Sequence, residues 1–70
     1  MNITVNGKPA KIENADSLSV TLLLDELKVE TPEYVTVELN GEILERENFS
    51  STQVLDGDEV EFLYFMGGGN

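Results

Sequence analysis

Residues 19–27 have the sequence Ser-Val-Thr-Leu-Leu-Leu-Asp-Glu-Leu, and this stretch predicts the main helix of the chain. Its apolar side chains recur at the i, i+3, i+4 and i+7 positions of one helical stripe: Val20, Leu23, Leu24 and Leu27. Ser19 and Ser17 are both suited to cap the first turn. Because Thr31 precedes a proline, helical geometry is disfavoured there and the helix must end earlier. We expect an amphipathic helix of about ten residues.

A β-hairpin is predicted before the helix. Residues 1–5 alternate between apolar and polar side chains, which is the period of a strand with one buried face. Asn6-Gly7 follows, and this dipeptide suits the positive φ angles of a type I′ turn. Residues 8–12 then return as a second strand. Its Pro9 has no backbone N–H to donate and must face an edge or a bulge.

A second hairpin is predicted after the helix. Residues 34–39 again alternate, with apolar side chains at Val35, Val37 and Leu39. The Asn-Gly pair at residues 40–41 then turns the chain into residues 42–44.

The remaining third of the chain begins with a polar, mixed stretch over residues 45–55. Three of its apolar side chains are expected to fill the bottom of the core: Phe49, Val54 and Leu55. Asp56-Gly57-Asp58 is predicted to be a turn, and residues 59–65 to form the last strand.

This order of elements indicates an α+β fold. One helix covers only one face of a sheet, so we expect a roll with a four- to five-stranded mixed sheet and one main helix on one face. No short connection joins the first and last strands, which leaves them free to pair in the centre. This is the order of a β-grasp roll. We assign residues 1–65 to the domain and residues 66–70 to a flexible glycine-rich C-terminal tail.

The composition excludes several classes of chemistry. The chain of 70 residues has no cysteine and no histidine, which excludes disulfides, thiolate nucleophiles and imidazole bases or ligands. Its 14 acidic and 4 basic side chains give a formal charge of −10, and so few cations argue against nucleic-acid binding. Asp56-Gly57-Asp58 lacks the further ligands of a calcium loop, so an acidic turn is favoured. We expect no catalytic residue, no metal site and no bound cofactor, and hence no enzyme.

Location and partners follow from the same features. The N-terminus lacks the basic and apolar regions of a signal peptide, and no apolar run reaches the roughly 20 residues that span a bilayer. We therefore expect a cytoplasmic protein with no membrane partner. The negative charge either steers the domain toward a basic protein surface or serves only to keep it soluble.

The glycines that follow the last predicted strand allow two interpretations. A terminal run such as Gly67, Gly68 and Gly69 is typical of a frayed chain end. Alternatively, residues without side chains can thread a narrow channel and carry a terminal carboxylate into a partner's active site. From Met66 the terminal residues reach at most roughly 17 Å, so the folded domain would dock just outside that site.

The last strand favours the second interpretation. Val60, Phe62 and Tyr64 share one face and are expected to pack on the helix. The opposite face has no second layer to cover it, and its apolar side chains lie between carboxylates. An apolar patch with an acidic rim is typical of a docking surface. We assign five residues to partner docking: Leu63, Phe65, Met66, Glu59 and Glu61.

Taken together, these residues resemble the thiamine-biosynthesis sulfur carrier family, ThiS, which has a ubiquitin-like β-grasp fold. The resemblance covers nearly the whole chain. Its segments are Met1-Asn2-Ile3 to Asn6-Gly7, Ser19-Val20 with Leu23-Leu24 and Leu27, Val37 to Ile43 with Arg46 and Phe49, Leu55 to Glu61, and Phe65-Met66-Gly67-Gly68-Gly69. The related carrier of molybdopterin synthase is usually longer and has a Pro-Pro turn before its glycines, which this chain lacks.

The resemblance implies a protein co-substrate and sulfur carrier. In that family an E1-like adenylyltransferase uses ATP to adenylate the carboxylate of the terminal glycine, which matches Gly69 here. Sulfur from a donor of the cysteine desulfurase type then gives a thiocarboxylate, and thiazole synthase consumes it. Gly67 and Gly68 would thread the tail into these enzymes.

One residue departs from the family pattern. The family usually ends at the glycine pair, whereas Asn70 follows Gly69 in this chain. We expect a C-terminal trimming protease to remove Asn70 first. Two alternatives stay open. The chain could carry sulfur for another product, molybdopterin or a sulfur amino acid, or it could be an acidic protein-interaction module without catalytic role.

Overall fold

The computed structural model describes residues 1–64. The seven strands and one helix are β1 (Asn2–Val5), β2 (Lys8–Lys11), β3 (Ser17–Ser19), α1 (Val20–Glu26), β4 (Val35–Leu39), β5 (Glu42–Leu44), β6 (Gln53–Leu55) and β7 (Glu59–Tyr64). Two short 3-10 helices, Pro32–Tyr34 and Arg46–Asn48, lie in the connections.

Five strands form a mixed sheet in the order β2-β1-β7-β4-β5. The first strand β1 and the last strand β7 pair in parallel near the centre, as predicted, and the other pairs are antiparallel. Helix α1 contributes three buried side chains to the core on one face of the sheet. This topology confirms the predicted β-grasp roll. It also confirms that Pro9 lies on an edge strand, because β2 is the outermost strand.

Both Asn-Gly pairs form the predicted tight hairpin turns. Asn6 has φ 52° and Gly7 has φ 82°, while Asn40 has φ 52° and Gly41 has φ 87°. Positive φ at both central residues is the requirement of the type I′ turn, and asparagine tolerates it better than other side chains do. The turns set the register of the β1–β2 and β4–β5 pairs.

Helix α1 begins where predicted and ends earlier than expected. The Ser19 hydroxyl caps it by accepting a hydrogen bond from the Leu22 N–H at 3.1 Å. At the other end Lys28 adopts φ 55°, and its N–H and that of Val29 donate back to the carbonyls of Asp25 and Leu24. This is a Schellman ending with lysine where glycine is usual, and it shortens the helix to seven residues.

The core lies between α1 and the inner face of the sheet. Its buried apolar residues are Ile3, Ile12, Val20, Leu23, Leu24, Val35, Val37, Phe49, Val54 and Val60. Phe49 and Val54 fill the bottom of the core as predicted. The prediction for Leu55 is wrong, because this side chain is 52% exposed. Val54 and Leu55 alternate along β6, so only one of them can face inward.

Strands β3 and β6 form a second, two-stranded sheet that the sequence pattern does not predict. The segment that precedes β6 holds the first turn of α1: the N–H groups of Val20 and Thr21 donate to the carbonyls of Thr52 and Phe49 at 3.0 and 3.3 Å. The connection after β6 is the predicted acidic turn. The carboxylates of Asp56 and Asp58 accept the N–H groups of Asn2 and Leu55, at 2.6 and 2.8 Å.

Candidate functional site

Strand β7 brings the chain from the centre of the sheet to the tail. It has β1 on one side and β4 on the other, and its last described residue, Tyr64, lies opposite Val35 at the start of β4. The described part of β7 therefore ends at the end of the sheet where β4 begins. Phe65, Met66, Gly67, Gly68 and Gly69, which we predicted to act in docking, threading and adenylation, lie outside the described residues.

The side chains of the two turn asparagines hold β7 in place. The Phe62 N–H donates to Asn6 Oδ1 at 2.8 Å, and the Glu59 N–H donates to Asn40 Oδ1 at 2.9 Å. Asn40 Nδ2 also donates to Asp58 Oδ1 at 3.2 Å. Both Asn-Gly turns are thus anchored to the backbone of β7, which fixes the position of this strand in the sheet.

The inner face of β7 only partly follows the prediction. Val60 is buried, and Phe62 packs partly buried against the core. Tyr64 lies at the end of the strand and is 42% exposed, so it does not join the core. Its hydroxyl instead donates to the Glu30 carbonyl at 2.8 Å. Tyr64 thereby ties the loop after α1 to the point where the tail leaves.

The face of the sheet opposite the helix, here called the outer face, carries the predicted docking residues of β7. Leu63 lies opposite Thr36, and Glu61 lies opposite Glu38, which in turn lies opposite Ile43 on β5. Leu63 is half-buried, Ile43 is 65% exposed, and Glu59 and Glu61 are exposed. The structure places Leu63, Glu59 and Glu61 on one face of β7, and their role in partner docking stays a prediction.

Sequence reasoning missed Glu38 and Ile43 as members of the outer face. The signal that could have found them is the Asn40-Gly41 turn, since a two-residue turn sets Glu38 directly opposite Ile43. Tyr34 was expected in the alternating strand. It lies instead in a 3-10 helix and is exposed, at the end of the sheet from which the tail leaves.

The outer face is strongly acidic, and no ion pair within residues 1–64 neutralises its carboxylates. Glu38 and Glu61 are directly opposite each other in the β4–β7 pair, an arrangement that destabilises a sheet. Within residues 1–64, the only ion pair joins Lys11 Nζ and Glu13 Oε2 at 3.9 Å, away from these carboxylates.

A shallow groove of about 540 Å³ lies elsewhere, between the end of α1 and the 3-10 helices. Arg46, one of the residues in the family resemblance, lies at this groove and has a structural role. Its guanidinium donates to the carbonyls of Pro32 and Val35 at 2.9 and 2.8 Å and stacks over the Phe49 ring at 5.2 Å. Arg46 thereby fastens the loop after α1 to the start of β4.

The described part of the chain contains no group of three acidic side chains placed to hold a metal ion. In residues 1–64 there is also no helix with the length and apolar character that crossing a bilayer requires.

Comparison with known proteins identifies relatives. Residues 3–69 match the model of the ThiS family. The chain is 36% identical over 70 residues to a thiazole synthase of Paramagnetospirillum magneticum, covering all of this chain and 21% of that protein. It is 33% identical over 69 residues to the uncharacterized protein ycf40 of Porphyra purpurea, covering 99% of this chain and 93% of that protein. The chain thus spans about a fifth of the thiazole synthase and nearly all of ycf40.

Two solved structures of a thiamine biosynthesis protein, ThiS, from Geobacter metallireducens are also similar. The crystal structure has a TM-score of 0.93 and 70% identity, covering 99% of this chain and 100% of that one. The NMR structure has a TM-score of 0.80 and 68% identity, covering 100% of this chain and 90% of that one. With the family match extending from residue 3 to residue 69, the chain belongs to the ThiS family.

Proposed function

We propose that this chain is a cytoplasmic sulfur carrier for the thiazole of thiamine, and that it serves as a protein co-substrate and not as an enzyme. The family match carries the proposal, because it extends through Gly67 and Gly68 to Gly69. The similar ThiS structures from Geobacter metallireducens, which belong to a thiamine biosynthesis protein, support the same pathway. The fold supports a division of labour between a docking domain and a reactive tail.

The proposed chemistry takes place at the Gly69 carboxylate. A carboxylate is a poor electrophile, so an E1-like adenylyltransferase first transfers AMP to it from ATP and releases pyrophosphate. The outer sulfur of a persulfide on a donor of the cysteine desulfurase type then attacks the acyl carbon and displaces AMP, which joins the chain and the donor through an acyl disulfide. A thiol reductant attacks the donor's sulfur in that bond, forms a disulfide with the donor, and releases the chain as a thiocarboxylate. The acyl adenylate is a covalent intermediate that replaces one difficult substitution by two easier ones. Thiazole synthase would take the sulfur.

Asn70 must leave before this chemistry can begin. The family match ends at Gly69, one residue before Asn70. Gly67 and Gly68 have no side chains and suit a narrow channel, whereas an asparagine side chain at the reacting end would not. We therefore propose that a protease removes Asn70 and exposes the Gly69 carboxylate.

The outer face is the proposed docking surface. Its apolar part consists of Leu63 and Ile43, and Glu59, Glu61 and Glu38 supply carboxylates around it. We also assign Phe65 and Met66, which follow Tyr64 in the sequence, to partner docking. Charge complementarity raises association rates and selects partners, so the partner enzymes should present basic side chains to this face.

A reconstitution experiment tests the proposal. Two versions of the chain, one that ends at Gly69 and one that ends at Asn70, are incubated with the adenylyltransferase of the same organism, ATP, a persulfide donor and a thiol reductant. We expect sulfur on the version that ends at Gly69 only. Loading of the Asn70 version on its own terminus would contradict the trimming step.

The same experiment distinguishes the products. Consumption of the loaded chain by thiazole synthase would support the thiamine pathway. A chain that accepts sulfur and is not consumed by thiazole synthase would serve another sulfur-containing product. Failure of both versions to accept sulfur would favour an acidic interaction module.

A further inference from the structure

Strand β7 is paired along its whole length on one side only. On the β4 side the pairing extends from Val60 to Tyr64. On the β1 side it comprises two pairs, Thr4 with Glu59 and Val5 with Val60. After Val5 the turn at residues 6–7 leads the chain away into β2. Beyond Val60, no strand formed by residues 1–64 lies on the β1 side of β7.

The N–H and carbonyl groups of alternate β7 residues point toward this open side. The Asn40 N–H donates to the Glu59 carbonyl at 2.7 Å, so in the antiparallel β4–β7 pair the even-numbered residues of β7 point away from β4. The Asn6 N–H accordingly donates to the Val60 carbonyl at 2.9 Å, and the Phe62 N–H donates to Asn6 Oδ1 at 2.8 Å.

The Asn6 side chain is therefore the last partner that residues 1–64 provide on this side. The Phe62 carbonyl and the N–H and carbonyl of Tyr64 follow it, and no backbone group of residues 1–64 bonds to them. An edge of this kind is a template for an added strand, in which main-chain hydrogen bonds supply the affinity. We call residues 62–64 on this side the open edge.

We propose that the open edge accepts an extended segment of thiazole synthase as an additional strand. This proposal rests on the function proposed above, since it names how that partner holds the carrier. One relative that carries the name thiazole synthase matches all of this chain within its own sequence, so carrier and synthase occur together in one polypeptide. That observation favours the synthase over other occupants.

Distance also favours this partner. Gly69 is five residues beyond Tyr64, and a fully extended chain of that length spans at most about 18 Å. The synthase must therefore bring its catalytic site within that distance of the open edge. An added strand there would fix the direction in which the tail enters, with hydrogen bonds that require no particular side chain in either protein.

The experiment replaces the Tyr64 N–H, which faces the open side. Tyr64→Pro removes this donor and places the proline ring where the added strand would lie. Proline is tolerated where the N–H of an edge faces solvent, so the domain should still fold. Tyr64→Ala is the matched control, because it also loses the phenol and its bond to Glu30 but keeps the N–H. Affinity of the full chains for thiazole synthase of the same organism is measured by calorimetry.

We expect Tyr64→Ala to bind within about threefold of the wild type and Tyr64→Pro to bind at least about tenfold more weakly than Tyr64→Ala. If the wild type binds the synthase and the two variants bind it with equal affinity, the open-edge proposal is overturned and the proposed function stays intact. No binding by the wild type would overturn both. Self-association of the wild type that Tyr64→Pro abolishes, with synthase binding retained, would assign the edge to a second copy of the chain and overturn the proposal.

A second measurement covers the case in which Tyr64→Pro does not fold. Amide hydrogen exchange of the wild-type chain is followed by NMR with and without saturating synthase. The Tyr64 amide should exchange at least about tenfold more slowly in the complex, because it gains a hydrogen bond. An unchanged Tyr64 exchange rate in the saturated complex would overturn the proposal.

Discussion

At the residue scale, Asn6 shows how one side chain can serve both local and long-range structure. It occupies the left-handed region at φ 52° and forms the first turn. Its Oδ1 also accepts the N–H of Phe62, 56 residues away in sequence. Asn6 therefore links the start of the chain to the strand that carries the tail.

Replacing Asn6 separates these two roles. Asn6→Ala loses the hydrogen bond to the Phe62 N–H. Alanine is also strained at positive φ, because it lacks the short polar side chain that lets asparagine adopt this conformation. The variant should therefore lower the free energy of unfolding by about 2 kcal/mol. Asn6→Gly relieves the backbone strain only and should be intermediate, while Asn6→Asp keeps an acceptor and should be nearly neutral. Urea unfolding measures the order of these variants in free energy of unfolding. An alanine variant as stable as the wild type would refute both roles.

The turns could be predicted from the residue types, but the long-range hydrogen bonds of their side chains could not. Asn6-Gly7 and Asn40-Gly41 predict type I′ turns from local backbone preferences alone, and both predictions are confirmed. The bonds from Asn6 and Asn40 to β7 depend on the assembled sheet. Local pattern therefore cannot show them. The same is true of Arg46, whose partners Pro32 and Val35 become neighbours only after folding.

At the element scale, β7 combines stability and recognition on opposite faces. Its inner face contributes Val60 and Phe62 to the core, whereas its outer face carries Glu61 directly opposite Glu38. Facing carboxylates cost stability in a sheet, and a binding surface is one reason to keep them.

Neutralising one of these carboxylates should therefore improve stability and impair recognition. Glu61→Gln should raise the free energy of unfolding by about 0.5 kcal/mol at low salt, because the repulsion with Glu38 disappears. It should also slow association with the adenylyltransferase, measured by stopped flow. Glu42→Gln, on the edge strand β5, is the control for net charge. Equal association rates of the two variants would argue against a specific role of the outer face.

The apolar part of the docking surface gives a separate prediction. Phe65→Glu should weaken binding to the adenylyltransferase at least about tenfold, because a charge would be desolvated in the contact. Its thermal midpoint should stay close to that of the wild type. Leu22→Glu is the control, since Leu22 is an exposed apolar residue of α1, remote from the outer face. A large loss of stability in Phe65→Glu would show that Phe65 belongs to the core.

Elements with a clear period or a hairpin turn beside them were predicted, whereas the short strands β3 and β6 were not. The stripe of α1 and the alternation of β1, β4 and β7 are long enough to identify each element. Strands β3 and β6 have three residues each and pair across a long stretch of sequence, so neither shows a period of its own. The early end of α1 was also missed, because lysine and not glycine adopts the left-handed conformation at residue 28.

At the scale of the whole molecule, the fold positions a tail. A single core between α1 and the sheet stabilises the domain, and the central strand β7 delivers the chain to one end of it. The topology of the main sheet and the β7 residues of the outer face could be predicted from sequence. The open edge of β7 could not, because it depends on where β1 stops relative to β7 in three dimensions.

Removing the end of the tail should separate docking from chemistry. A chain that lacks residues 68–70 should fold with an unchanged thermal midpoint, because it keeps every core residue of the described part, residues 1–64. It should still bind the adenylyltransferase through the outer face. It should accept no sulfur in the reconstituted reaction. A truncated chain that supports thiamine formation at the normal rate would favour an interaction module.

The central claim is that Gly69 carries sulfur as a thiocarboxylate. The most direct measurement is the intact mass of the chain recovered from its native cells during thiamine demand. The account predicts a species that has lost Asn70 and in which one oxygen is replaced by sulfur. A full-length, unmodified chain recovered while the cells make thiamine would contradict it.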